Sequence, residues 1–384
     1  AEASVALGLI LQPSYRLEKR RPVIQLFGRL DGGEAFLVED DRFRPYFFVP
    51  EEQAQLLADS TGVTLEPTSL HTLGGRPVVR VTAEMPGAVP PLREKLELAG
   101  GSAFEADIRF AYRYLIDHGI RAGVAIEGKA ETLRSGLLHF ANPELRPATC
   151  RPALRTLSID LETSPDASRI YCIALLGGGA DEVHLVSKSP VRGAEVHSDQ
   201  RALLAAAAER IRAIDPDVLT GWNVVDFDLR IWAARAQALG MRAQLGRVAG
   251  EISFQQDPSF TRQSRATLPG RMVLDAIPLV RDALRLEDYR LETAARAILG
   301  RGKLLDSDAP DAAAEITRLY WENPEELVAY NREDARLVLD ILEKEGLLEL
   351  ALERSLLSGM QLDRVGASIA SFDLLYLPEL RRRG

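Results

Sequence analysis

Apolar positions along this chain fall into two regimes. Up to about residue 149 they come in short runs, at 4–11, 23–30 and 35–38, separated by polar, glycine-bearing turns such as Asp31-Gly32-Gly33. Apolar and β-branched runs of that length predict strands. Residues 41–50 read as extended, because Pro45 forces its predecessor out of helical space. A short helix is expected over 51–59, a hairpin over 71–83, and a helix over 90–100 that ends at Gly100. From about residue 150, strand patterns alternate with helical ones. Strands are predicted at 154–163, 169–176, 181–187, 216–223 and 270–280. Helices are predicted at 201–214 with Ser198 as cap, at 226–240 with Asp226 as cap, at 291–300 and at 323–346. The last has the clearest start signal, with Asn323, Pro324 and Glu326 in the N-cap, N1 and N3 places. Gly177, Gly178 and Gly179 read as a hairpin turn in preference to a phosphate loop. The pattern predicts an α/β (α+β) fold with three parts: a β-rich domain over 1–149, a mixed central sheet flanked by helices over 150–365, and a leading-out segment over 366–384.

The same periods aim particular side chains inward. Within LRTLSIDLET (154–163), Leu157, Ile159 and Leu161 alternate with Ser158, Asp160 and Glu162. Successive strand side chains leave on opposite faces, so Asp160 and Glu162 share one, about 6–7 Å apart. Two adjacent carboxylates repel, and one takes up a proton unless cations lie between them. Asp228 falls in the first turn of its predicted helix, with Ile231 and Trp232 at i+3 and i+4, hence on the apolar side. An acid there is costly unless paired or metal-bound; the helix dipole is the competing reason for its presence. Tyr330 and Asp334 are an i,i+4 pair on the face that carries Leu327, Val338 and Ile341. Asp275 interrupts an apolar run and reads as structural. Inward carboxylates with no Cys or His beside them exclude a zinc-type site. Hard oxygen donors favour Mg²⁺ or Mn²⁺, and two such ions suit phosphodiester hydrolysis.

Composition narrows the function classes. A length of 384 residues leads to two expected domains, and 46% hydrophobic content is enough for sizeable cores. The charge balance of 47 basic against 56 acidic residues gives −9. That argues against a protein that coats DNA through a basic surface, and it suits a nuclease whose pocket is itself acidic. The charges at Arg16, Lys19, Arg20 and Arg21 read as a solvated turn in preference to a phosphate contact. His71, His118 and His139 stand singly and read as surface or structural residues. Cys150 and Cys172 make no disulfide framework, which points to a reducing cytoplasm. The opening residues carry no secretory signal, and no apolar run is long enough to span a bilayer, so a membrane is not an expected partner.

The segments SIDLET, GWNVVDFD and YNREDA, in this order and spacing, resemble the three exonuclease motifs of family B DNA polymerases. Those are acidic 3′→5′ exonucleases on a ribonuclease H-like sheet. Ala329 stands five residues before Asp334, where histidine-type relatives carry His, and Tyr330 stands four before. The chain therefore resembles the tyrosine-type subgroup. DRFRPYFFVP and residues 104–120 resemble N-terminal-domain segments of the same polymerases. PDVLTGWNVVDFDLR, GRMVLDAI and the YRLETAA segment are most similar to bacterial members. The paired palm aspartates and the NSxYG helix of the polymerase part are not in this sequence. The expectation is the N-terminal and exonuclease portion of a longer polymerase of replication or repair, ending where the palm begins.

The resemblance implies roles. Asp160, Glu162 and Asp334 hold the metal beside the attacking water, Asp160 bridges to a second ion, and Asp228 holds that ion directly or through water. Tyr330 orients the water. Thr163, Asn223 and Phe227 grip the last nucleotides of a single strand, Phe227 by packing on a base or sugar; a core aromatic behind the turn is the competing reading of Phe227. Lys303 is a weaker candidate for a phosphate contact, and a surface lysine is the preferred reading. Implied partners are a single-stranded 3′ end or frayed primer terminus of DNA, and a sliding clamp reached through the rest of the polymerase. A catalytically silent DNA-binding module and an exonuclease acting on RNA are the competing functions. A silent module need not keep four acids and Tyr330, and only the N-terminal resemblance favours DNA over RNA.

Overall fold

The computed structural model describes residues 5–256, 264–304, 312–364 and 368–383. Its internal contacts divide the chain into two units, residues 1–152 with 355–384, and residues 153–354.

In the first unit, β1 (Val5–Glu18), β2 (Arg21–Leu30) and β3 (Ala35–Asp40) form an antiparallel meander. The basic stretch 16–21 is the β1–β2 hairpin, with Lys19 and Arg20 both at positive φ and exposed. A second sheet joins β4 (Tyr46–Pro50), β5 (Val63–His71) and β6 (Pro77–Ala83) in the order β4-β6-β5. The hairpin predicted at 71–83 therefore begins earlier, at Val63. In β5 only Val63 and Leu65 pack on the core, so its apolar alternation is too short to mark a half-buried strand. Residues 41–45 precede β4, and 51–57 are a short 3₁₀ stretch. α1 (Val89–Leu98), α2 (Phe110–Asp117), β7 (Gly123–Glu127), β8 (Ala130–Thr132), β9 (Leu138–Ala141) and β10 (Glu144–Pro147) follow. The main sheet has seven strands in the order β10-β7-β1-β2-β3-β9-β8. Phe110, Tyr114 and Leu115 of α2 pack on Ile24, Leu26 and Phe36 of this sheet. His139 binds Glu39 at 3.1 Å, and His118 lies against the Tyr114 ring, so both are structural.

The second unit carries a six-stranded mixed sheet in the order β14-β13-β12-β11-β15-β18. β11 (Thr156–Thr163), β12 (Ile170–Gly177) and β13 (Ala180–Val186) are antiparallel. β14 (Glu195–His197) pairs parallel to β13. β12 and β13 are joined through Gly178 and Gly179, both at positive φ, the hairpin turn expected there. α3 (Gln200–Ile214) leads to β15 (Val218–Gly221), which pairs parallel to β11. α4 (Arg230–Ala238), the small hairpin β16 (Ser253–Gln256) and β17 (Ser264–Thr267), and β18 (Met272–Asp275) come next. β18 runs directly into α5 (Ala276–Ala283), and α6 (Leu291–Leu299), α7 (Ala312–Glu322) and α8 (Pro324–Lys344) follow. α9 (Leu347–Ser358) contains the boundary between the units, and α10 (Ser368–Arg383) ends the chain. Leu157, Ile159 and Leu161 face α3 and α4, against Leu203, Ile211 and Trp232. Cys172, Ala174 and Leu185 face α7 and α8, against Leu319, Leu327 and Ala335. Helices thus cover both faces of a mixed sheet, the fold class read from the pattern.

Three of the boundaries that differ from expectation in this unit turn on a capping residue. α3 starts one residue early and is capped by Asp199, which accepts from Ala202 N at 2.8 Å; Ser198 lies before the cap. The apolar run 270–280 is a strand only to Asp275, where Asp275 accepts from Ile277 N and caps α5. A continuous apolar run does not show where extended backbone turns helical. Asp226 does not cap a helix over 226–240. Residues Val225–Leu229 form a π-turn, α4 begins at Arg230, and Asp226 pairs with Arg230 at 3.0 Å. The domain boundary expected at 365/366 lies outside the described residues. Cys150 and Cys172 are buried free thiols. No helix among the described residues is long and apolar enough to cross a membrane.

Candidate active site

The site is built where β11 outruns its parallel neighbour. β12 pairs with β11 from Ser158 to Thr163, but β15 pairs only with Thr156–Ser158. The Leu161 N–H, beyond that point, donates to Asp228 Oδ1 at 2.8 Å. Asp228 thereby continues the sheet edge with a side chain and lies against the backbone between Asp160 and Glu162. Three local features put it there. Gly221 ends β15 where a Cβ would meet Ile159 O at 2.6 Å. Asn223 takes φ 62°, a conformation Asn tolerates better than most residues. The Asp275 carboxylate then accepts from Asn223 N at 3.1 Å and Val225 N at 3.3 Å, fixing the turn from β18. The π-turn that follows rotates Asp228 inward until it is 1% exposed.

α8 supplies the opposite wall. Its N-cap Asn323 donates to Glu326 Oε2 at 2.7 Å, and its side chain accepts from the Glu326 N–H. One buried face then presents Tyr330, Asn331 and Asp334. Asn331 Nδ2 donates to Asp160 Oδ2 at 2.7 Å and to the Asp160 carbonyl at 3.1 Å. Carboxylate oxygens of Asp160, Glu162 and Asp334 lie within 4.8 Å of one another. Lys303 reaches this cluster from beyond α6. That helix ends at Gly300 with φ 70°, and the buried Glu292 carboxylate accepts from Lys303 N. The Lys303 ammonium sits 2.5 Å from Asp334 Oδ2 and 4.7 Å from the Tyr330 ring centre. Its side chain is 12% exposed, which corrects the surface reading of this lysine.

Electrostatics reflect the crowding. Burial and the Asp334 charge push Asp160 up to about 7. Burial, moderated by Lys303, pushes Asp334 up to about 6. Glu162 is driven well above the usual carboxylate range by burial and by Asp160 and Asp334. Asp228 is raised by burial and by Asp160. Burial and Asp334 also raise the Tyr330 hydroxyl, which keeps its proton. Burial lowers the Lys303 affinity for protons, but Asp334 outweighs it and the ammonium stays charged. The donor set here is all oxygen, Asp334 Oδ1 is buried without a hydrogen-bond partner, and a lysine ammonium supplies the positive charge. These features fit a hard divalent cation.

The sequence model of the DNA polymerase family B exonuclease domain matches residues 101–294. The chain belongs to this family. It is 31% identical over 351 residues to DNA polymerase II of Escherichia coli K12, covering 88% of this chain and 44% of that protein. It is 27% identical over 365 residues to DNA polymerase 1 of Pyrococcus abyssi, covering 87% of this chain and 42% of that one. The chain thus spans less than half the length of these polymerases. The family B DNA polymerase of Pyrobaculum calidifontis has the same fold, with a TM-score of 0.79 at 24% identity, over 98% of this chain and 51% of that one.

The predicted residues separate into three groups in the structure. Asp160, Glu162, Tyr330 and Asp334 converge, with Asp228 on the adjoining strand edge. Thr163 ends β11, where its hydroxyl donates to Ser164 O at 3.0 Å. Asn223 is exposed and Phe227 is 40% exposed, so Phe227 is not the core aromatic of the competing reading. Sequence reasoning missed Asn331. Its signal is its place three residues before Asp334, on the same buried face of α8.

Proposed function

We propose that this chain is a 3′→5′ exodeoxyribonuclease that removes nucleotides from the end of a single strand of DNA. The observation that carries the proposal is the convergence of three carboxylates from β11 and α8 beside a fourth from the π-turn. Asp160, Glu162 and Asp334 would hold one Mg²⁺ or Mn²⁺, and Asp160 with Asp228 a second. When bound, such a pair of ions lowers the pKa of a water and stabilises the leaving oxygen of a phosphodiester. Asn331 holds the Asp160 carboxylate in one orientation. Tyr330, protonated at all ordinary pH, positions the water by hydrogen bonding. Lys303 gives up Asp334 when cations arrive and is then free for a phosphate oxygen. Thr163, Asn223 and Phe227 hold the terminal nucleotides, the exposed Phe227 ring offering a stacking platform. In a full-length polymerase this activity is proofreading of a frayed primer terminus, and a sliding clamp is engaged through the remainder of that protein.

The test is digestion of a 5′-labelled single strand with Mg²⁺, beside matched RNA. Stepwise shortening from the 3′ end of DNA is expected, abolished by a chelator. D160A/E162A should lower the rate at least about a thousandfold, since metal catalysis supplies several kcal/mol, with an unchanged circular dichroism spectrum. Cleavage retained in the double variant refutes the assignment. DNA bound but never cut by the wild type supports the silent module, and preferential cutting of RNA removes the deoxyribonuclease reading.

A further inference from the structure

A second group of metal-ligating side chains lies on the other face of the same sheet. In the parallel pair β13–β14, His184 is opposite Glu195 and Val186 is opposite His197. Residues opposite each other, and residues two apart on a strand, share a face. Glu182, His184, Glu195 and His197 therefore project to one side. Asp160 is opposite Ala174, which is opposite Val183. His184, next to Val183, thus points away from the acidic cluster, toward α3, where Arg210 binds Glu182 at 2.9 Å.

His184 Nδ1 lies 2.9 Å from His197 Nε2 and 3.7 Å from a Glu195 oxygen, and His197 Nε2 is 4.0 Å from the other Glu195 oxygen. Ligand atoms about 2.0–2.2 Å from a tetrahedral zinc stand roughly 3.4 Å apart. To reach that spacing the two ring nitrogens part by about half an ångström and one oxygen of the exposed Glu195 side chain closes on both. The second ring nitrogen, His184 Nε2, is buried without a hydrogen-bond partner, 3.4 Å from Glu182 Oε2 and out of line with it. A carboxylate behind a histidine, on the side away from the ligating nitrogen, is the usual outer shell of a metal-bound imidazole. His184 is 0% exposed, while the Glu195 side chain is 58% exposed and leaves a path from solvent.

We propose that His184, Glu195 and His197 bind one zinc-class divalent ion that clamps the short edge strand β14 to β13. The ion takes the place of the hydrogen bond between the two facing rings: each neutral imidazole turns a lone pair to the metal and carries its one proton on the far nitrogen. Donor chemistry separates the two centres: two imidazoles and one carboxylate suit Zn²⁺ or Co²⁺, whereas the all-oxygen cluster suits Mg²⁺ or Mn²⁺. The Zn²⁺ site makes no contact with the acids proposed for hydrolysis.

The experiment is Co²⁺ titration of the D160A/E162A chain, which silences the acidic cluster, followed by displacement with Zn²⁺. One Co²⁺ per chain with the visible absorption of tetrahedral cobalt is expected. His184 is fully buried, so the substitutions are placed at its more open neighbours. H197N and E195Q should each weaken binding at least tenfold, and E182Q about 10–100-fold as an outer-shell change. In the otherwise unaltered chain, Zn²⁺ should raise Tm, and H197N should remove that rise while keeping Mg²⁺-dependent nuclease activity. Failure of the D160A/E162A chain to bind Co²⁺ or Zn²⁺, or equal binding by H197N and E195Q, overturns the proposal. Loss of nuclease activity in the wild type bears on the acidic cluster alone.

Discussion

Asp160 sits between opposed influences. Burial and Asp334 raise its proton affinity, while the Asn331 amide and the Lys303 ammonium favour its charged form. Asn331 does not touch the reacting atoms in the proposal; it fixes the direction of the Asp160 oxygens. N331A should therefore raise the Mg²⁺ concentration for half-maximal activity about 10–100-fold, the range for outer-shell partners, with partial rescue at high Mg²⁺. A purely structural role would lower Tm without moving the Mg²⁺ dependence. The raised carboxylates also set a sign for pH. Asp160 near 7 and Asp334 near 6 keep protons that the unfolded chain releases at about 4. Without divalent ions, the contribution of these two carboxyls to stability is fully present below about pH 4 and is lost as pH rises through 6 to 7. K303M removes the compensating cation, so its Tm deficit should be large at pH 8 and small at pH 5. Equal deficits at both pH values in metal-free buffer contradict this reading of Lys303.

At the scale of elements, what is legible follows from periodicity. Asp160 and Glu162 announce themselves because a strand repeats every two residues, and Tyr330 and Asp334 because a helix brings i and i+4 together. Asp228 is visible as an inward acid, but not the reason for it. The π-turn and the Leu161 N–H that has Asp228 in place of a strand partner arise from where β15 stops, which is a property of two strands together. Lys303 follows Gly300 in a segment with no period, and its burial depends on Glu292 catching its backbone. No local pattern could separate it from a surface lysine. Asp275, read as structural, holds both the cap of α5 and the turn that presents Asp228. D275A should cost about 1–2 kcal/mol as a lost cap and also reduce nuclease activity, because Asp228 hangs from the turn it fixes. Unfolding in denaturant checks the first effect and the DNA digestion assay the second. A stability loss with full activity would show that the π-turn holds itself.

For the whole molecule, the chain comprises two units, and the acidic cluster and the histidine group both belong to residues 153–354. The helices on the two faces of that sheet serve different purposes. α8 brings Tyr330, Asn331 and Asp334 to β11, while α3 covers the face that carries His184. The β-rich first unit was legible from its short apolar runs, except at β5, which is largely exposed and alternates only from Val63 to Glu66. The account rests on the acidic cluster being a cation cage that Lys303 fills until divalent ions arrive. Anomalous diffraction from crystals of this chain soaked in Mn²⁺ tests that directly. The predicted result is one peak against Asp160, Glu162 and Asp334, a second against Asp160 and Asp228, and the Lys303 ammonium withdrawn from Asp334. Crystals in which Mn²⁺ leaves these four carboxylates empty, with Lys303 still paired to Asp334, would contradict it.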